Sequence, residues 1–101
     1  MNEEAELNVW NFQVLMLVQA MLGALTPNFR MVVLSRESDE WVVRFYIEKN
    51  IKSDLDEVED IVCHYTAYQD SSLKCKSEVL IGSEMLPSLT EIDRVVYRRK
   101  E

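Results

Sequence analysis

Two glycines, Gly23 and Gly82, are all that this sequence of 101 residues contains. A loop that wraps a phosphate with backbone amides therefore has no material to be built from. Neither the dinucleotide fingerprint nor a G-x-S-x-G nucleophile elbow occurs. Prolines also number two, so long flexible linkers and low-complexity tracts are absent. Two cysteines, Cys63 and Cys75, are too few for the disulfide framework of a small secreted domain. Both fall within apolar stretches, which predicts reduced, partly buried thiols in a cytosolic protein. One histidine, His64, together with two cysteines falls short of a structural zinc set. Cys63 and His64 are neighbours and would point about 100° apart on a helix.

What is present fits one domain, with 48% hydrophobic residues to build its core. The net charge of −7 repels nucleic acid and anionic lipid and favours capture of a basic protein partner. The run from Val9 to Leu25 is strongly apolar, but Asn11, Gln13 and Gln19 interrupt it. It falls short of the roughly 20 apolar residues that span a bilayer. The preceding "MNEEAE" is acidic where a secretory leader would be basic.

Hydrophobic spacing predicts a helix over 4–24, with Leu7, Trp10, Val14, Leu17, Val18, Met21 and Leu22 three and four residues apart. Nearly every residue from 14 to 25 is apolar, so this helix is expected to be covered over much of its circumference. "FRMVVL" (29–34) and "WVVRFYIE" (41–48) flank the polar "SRESDE" and predict a β-hairpin. In the second strand Trp41, Val43, Phe45 and Ile47 face the core. Val42, Arg44, Tyr46 and Glu48 form a mixed, partly solvated face. Ser53 with Asp56 resembles a capping box opening a second helix to about Gln69, whose buried stripe is Leu55, Val58, Ile61, Val62, Tyr65 and Tyr68. "LKCKSEVLIG" (73–82) predicts a half-buried strand. "SEMLPSL" predicts a loop with a helical turn before Asp93, and "RVVYRRKE" a last strand. The order α-β-β-α-β-β predicts an α+β fold: two helices on one face of a mainly antiparallel four-stranded sheet, in a single domain over 1–101.

The segment 53–70 lacks lysine and arginine yet holds six carboxylates: Asp54, Asp56, Glu57, Glu59, Asp60 and Asp70. They suit a solvated helix face, a protein-binding face, or chemistry. A di-iron site needs Glu-x-x-His on two helices, but Ile61 stands three before His64, and the first helix offers no inward acid. Apolar surroundings raise a thiol pKa, which disfavours either cysteine as a nucleophile. No catalytic residue, metal ligand or cofactor is assigned, and a non-enzyme is the better reading. Arg94, Arg98, Arg99 and Lys100 with Tyr46 and Arg44 suggest an RNA-binding sheet. The alternative, a charged strand that blunts a sheet edge or pairs with the acids, is preferred.

"LTPNFRMVVL", "WVVRFYIEKN", "DEVEDIVCHYTAYQD", "EVLIGSEMLP" and "DRVVYRRKE", in this order, resemble small bacterial immunity proteins encoded beside polymorphic toxins, including contact-dependent growth inhibition systems. The resemblance covers residues 22–101. It implies a cytoplasmic, stoichiometric toxin inhibitor, an antitoxin in the broad sense, that occludes an active site. Many such toxins are nucleases with basic clefts, which an acidic helix would fill as a substrate mimic. The expected contact set is Asp54, Asp56, Glu57, Glu59, Asp60 and His64, with Tyr46 and Tyr68 as aromatic contacts. Tyr65 and Trp41 are further aromatic candidates, each with core as the plainer role. The partner is a basic toxin domain rather than nucleic acid or membrane, and a homodimer is compatible. The rival reading is a small acidic secretion-type chaperone, usually dimeric, that wraps a client protein.

Overall fold

Three carboxylates, Glu3, Glu4 and Glu6, lie in the first turn of helix α1 (Glu3–Met21), where negative charge meets the positive end of the helix dipole. The computed structural model describes residues 3–101. The helix ends before Gly23, whose φ of 77° is left-handed and suits glycine. The Ala24 amide closes the turn on the Met21 carbonyl at 3.0 Å.

Strands β1 (Phe29–Glu37) and β2 (Glu40–Ile47) form the expected hairpin, but its turn is tighter than the polar connector suggested. Glu37 pairs with Glu40, and only Ser38 and Asp39 turn the chain, both at positive φ (49° and 69°). Such paired left-handed residues match the twist of the flanking strands. The connector's polar residues are held in the sheet by partners. Ser35 is fully buried, the Arg36 guanidinium lies 4.8 Å over the Trp41 ring, and Glu37 pairs with Arg44 at 2.6 Å.

Helix α2 (Lys52–Ala67) crosses from the end of β2 to the start of β3 (Cys75–Ile81), so β2 and β3 run parallel. Its cap differs from the sequence expectation. The cap residue is Ile51, with no side-chain bond; Ser53 lies inside the first turn, and Asp56 pairs with Lys52 at 3.1 Å. Strand β4 (Asp93–Arg98) pairs antiparallel with β1, giving the sheet order β3-β2-β1-β4. The sheet is therefore mixed but mostly antiparallel, and the predicted architecture stands.

The core between helices and sheet contains Leu17, Phe29, Val32, Leu34, Val43, Phe45, Ile47, Val58, Ile61 and Tyr65. Trp41 belongs to it at 4% exposure, edge-on to Trp10 with ring centroids 4.9 Å apart. The Tyr65 hydroxyl donates to Gln13 Oε1 at 2.7 Å, and Gln13 Nε2 donates to Gln69 Oε1 at 2.8 Å. This chain ties the two helices together, and burial pushes the Tyr65 hydroxyl pKa well up.

The second sheet face is more enclosed than its mixed pattern predicted. Met31, Val33 and Val42 are buried there. The cause is topological: β3 and β4 occupy opposite edges, so residues 82–92 must cross the sheet. Arg30 holds the start of this crossing, donating from Nη1 to the carbonyls of Gly82 (3.1 Å) and Glu84 (2.8 Å). Before β4 the chain makes an Asp93–Thr90 turn rather than a helical one, with the Thr90 amide donating to Asp93 Oδ2 at 2.9 Å.

Two further expectations are corrected. Helix α1 buries Gln13, Leu17 and Met21, whereas Phe12, Leu15 and Leu22 are exposed (52%, 54% and 75%). The helix packs against α2 and β4, and its far side meets no further layer. Cys63 is exposed because it falls two residues past Ile61, on the outer side of α2. Cys75 is half-buried, and burial raises its thiol pKa.

Candidate functional site

The outward side of α2 follows directly from its periodicity. Asp54, Val58, Ile61 and Tyr65 face inward, three and four residues apart, and the acids between them face solvent. Asp56, Glu59 and Asp60 are exposed, as are His64 and Tyr68, the last at 91%. Tyr68 therefore leaves the buried stripe assigned to it from spacing. It sits at the C-cap, past the last helical turn.

Glu57, Asp60 and His64 line one side of a cavity of about 150 Å³, and the end of α1 (Ala20, Leu22, Gly23 and Ala24) lines the other. The structure thus joins three of the expected residues to Leu22, a 75% exposed side chain just past the end of α1. Sequence reasoning placed Leu22 in the core. The available signal was its position just before Gly23, where the helix ends and lateral cover ends with it.

Two expected residues lie elsewhere. Asp54 is 4% exposed, and its carboxylate accepts from Thr26 Oγ1 and Asn28 Nδ2, both at 3.0 Å. It fastens the start of α2 to the α1–β1 connection and presents nothing outward. Tyr46 is on the opposite sheet face from α2. It is half-buried and lines a cavity of about 350 Å³ with Leu80 and the crossing residues Met85, Leu86 and Pro87. Burial raises its hydroxyl pKa.

The electrostatic question is whether the basic tail neutralises α2, and its ion pairs point away from that helix. Arg99 pairs with Glu48 (2.9 Å) and Glu101 (3.0 Å), and Arg30 with Glu101 at 2.9 Å. The Arg30 hydrogen bonds hold the Glu101 carboxyl well below its usual range, at about 2. Arg94 stacks 4.6 Å over the Trp10 ring. On the second face Arg44 bridges Glu37 (2.6 Å) and Glu78 (2.7 Å), and Ser35 donates to Asp93. Asp93 stays below its ordinary pKa because the bonds from Ser35 and Thr90 outweigh the opposing effect of burial. Among the described residues, Asp56 alone of the α2 acids has a cation, Lys52 one turn away and itself exposed. Glu57, Glu59 and Asp60 form no ion pair among the described residues. Nor, among those residues, does any group of three His, Cys, Asp or Glu gather as a metal site.

The family model described as MafI2 immunity protein matches residues 13–101. The chain belongs to that family. Membership gives it a toxin-neutralising role and a cognate toxin as partner. The match includes the second half of α1 from Gln13 onward, and the whole of α2 and the sheet. No curated protein sequence matches the chain. No helix among the described residues is long and apolar enough to cross a membrane.

Proposed function

We propose that this immunity protein neutralises its toxin by laying the outer face of α2 over a basic active-site cleft, as a nuclease would have for phosphate. It acts in the cytoplasm, by occlusion and without turnover. Asp56, Glu59 and Asp60 stand in for phosphate charges, with Glu57 and His64 at the cavity beside them. Leu22, beside the middle of α2, and Tyr68, at its C-terminal end, are the apolar and aromatic anchors. A few desolvated anchors carry most of an interface's affinity, while charge sets register and the rate of encounter.

The observation that carries this reading is that Glu57, Glu59 and Asp60 form no ion pair among the described residues, while Arg30, Arg36, Arg44, Arg94 and Arg99 are engaged with acids or rings elsewhere. Unpaired like charges on one helix repel one another and weaken it slightly. A basic partner relieves that repulsion. The test is alanine replacement of Leu22 and Tyr68, singly, with toxin affinity and toxin activity both measured. Loss of at least about tenfold in affinity for either is expected of an anchor. Unchanged affinity and unchanged neutralisation for both would place the interface elsewhere.

A further inference from the structure

Strand β3 is an edge of the sheet, and of the devices that keep edges apart it carries only two charges of opposite sign, Lys76 and Glu78. It pairs with β2 without a bulge over all seven residues, 75–81. Val79, Leu80 and Ile81 are exposed by 37%, 41% and 47%. The opposite edge is different: β4 has an irregular register at Val32/Val33 and carries Asp93, Arg94 and Arg98. Bulges and charges blunt an edge, whereas a long regular apolar edge invites another strand.

The backbone pattern of β3 fixes which groups are free. The Trp41 amide donates to the Lys74 carbonyl (2.9 Å), and the Gly82 amide donates to the Ile47 carbonyl (3.0 Å). In a parallel ladder alternate residues bond to the neighbour. Lys74, Lys76, Glu78, Leu80 and Gly82 therefore turn their backbone groups toward β2. Cys75, Ser77, Val79 and Ile81 turn theirs outward.

We propose that two copies of this protein join edge to edge through β3, antiparallel, about a two-fold axis at Ser77. That register sets Ser77 against Ser77 and Cys75 against Val79, so every outward backbone group meets another. Leu73 then faces Ile81, extending the apolar layer under the helices. On the other face Lys76 stands opposite Glu78, twice by symmetry. Glu78 gives one oxygen to Arg44 and retains the other for Lys76. Lys74 lays its stem along Leu80. The neighbouring registers are disfavoured by charge: centring on Glu78 sets two glutamates face to face, and centring on Lys76 sets two lysines together. The strand is thus complementary in charge to itself in one alignment, which is what names a second copy as the occupant.

The test is sedimentation equilibrium of the full chain from low to high micromolar concentration, with three variants. The expected mass rises from 11.8 kDa toward twice that value. Ser77→Pro removes an outward amide and spares the β2 ladder, since proline is tolerated where an edge strand's N–H faces solvent. It should keep the circular dichroism spectrum and raise the dimer Kd by at least about tenfold. Lys76→Glu, which alters no backbone group, should weaken the dimer similarly and serves if the proline variant misfolds. Ser77→Cys, with Cys63 and Cys75 both replaced by serine, should give a disulfide-linked dimer on oxidation. A hydrogen-bonded antiparallel pair holds Cα atoms about 5.5 Å apart, within disulfide range. A constant mass of 11.8 kDa would overturn the proposal. So would a dimer that survives Lys76→Glu and leaves the Ser77→Cys thiol unlinked, pointing to the apolar side of α1. A monomer whose toxin capture fails in Ser77→Pro would assign the edge to the toxin, against a second copy.

Discussion

The two helices of this protein obey opposite rules. Helix α2 sorts its residues by chemistry: apolar positions face the sheet and carboxylates face outward, with Asp54 the single inward acid. Helix α1 does not sort them. It buries Gln13 at 7% exposure and leaves its neighbour Phe12 at 52%. The difference teaches what burial needs. A side chain is covered when a layer lies above it, and α1 has α2 and β4 on one side only. Gln13 is tolerated inside because Tyr65 and Gln69 satisfy its amide. A surface helix that is apolar all round has one face more than its own fold uses.

The sharpest contrast is between packed and unpacked apolar residues of α1. Leu17→Ala should cost about 2–5 kcal/mol in urea unfolding, because Leu17 is fully buried. Phe12→Ser should change stability by no more than about 0.5 kcal/mol. A large loss for Phe12→Ser would show that the outer side of α1 supports the fold after all.

On α2 the corresponding contrast is between inward and outward acids. Asp54→Ala removes the acceptor of Thr26 Oγ1 and one of two acceptors of Asn28 Nδ2, which keeps the Lys49 carbonyl, and should cost about 1–3 kcal/mol. Asp60→Ala should fall within about 0.5 kcal/mol of wild type. Equal costs for the two would erase the distinction between the structural and the presented acids.

The smallest expected effect concerns pH and separates the tail from α2. Glu101 has its folded pKa depressed from 4.5 to about 2, with Arg30 the main cause. A depressed carboxyl contributes stability above its unfolded pKa and loses it as protons bind. Stability should therefore hold above pH 4.5 and decline toward pH 2 as the Arg30 and Arg99 contacts of Glu101 are lost. Asp93, also depressed, adds to the same decline. Glu101→Gln should flatten part of that curve in acid denaturation followed by circular dichroism. Because Glu101 is solvent-accessible, the difference should be modest.

Element order, the core face of β2 and the centre of the inward stripe of α2 (Val58, Ile61 and Tyr65) were legible in the sequence, because each rests on one strong period. Trp41, Val43, Phe45 and Ile47 alternate cleanly, and all are buried. What failed depended on long-range partners. Ser35–Glu37 look like a turn until Asp93 and Arg44 supply their hydrogen bonds. Asp54 looks like its neighbouring acids until Thr26 and Asn28 arrive from 28 and 26 residues away. Tyr46 reads as a candidate contact because its face is mixed. Only the crossing of residues 82–92 encloses it, and no local pattern announces that path. The exposure of Leu22 depends likewise on which layers the fold omits.

The account stands on the outward acids of α2 meeting a positive toxin surface. The direct measurement is the stopped-flow association rate of toxin with an Asp56→Lys, Glu59→Lys, Asp60→Lys triple variant, across a salt series. The wild-type rate should fall steeply with added salt. The variant should associate at least about tenfold more slowly at low salt and show little salt dependence, with its unfolding curve retained. A variant that associates at the wild-type rate, with the wild-type salt slope, would contradict the account.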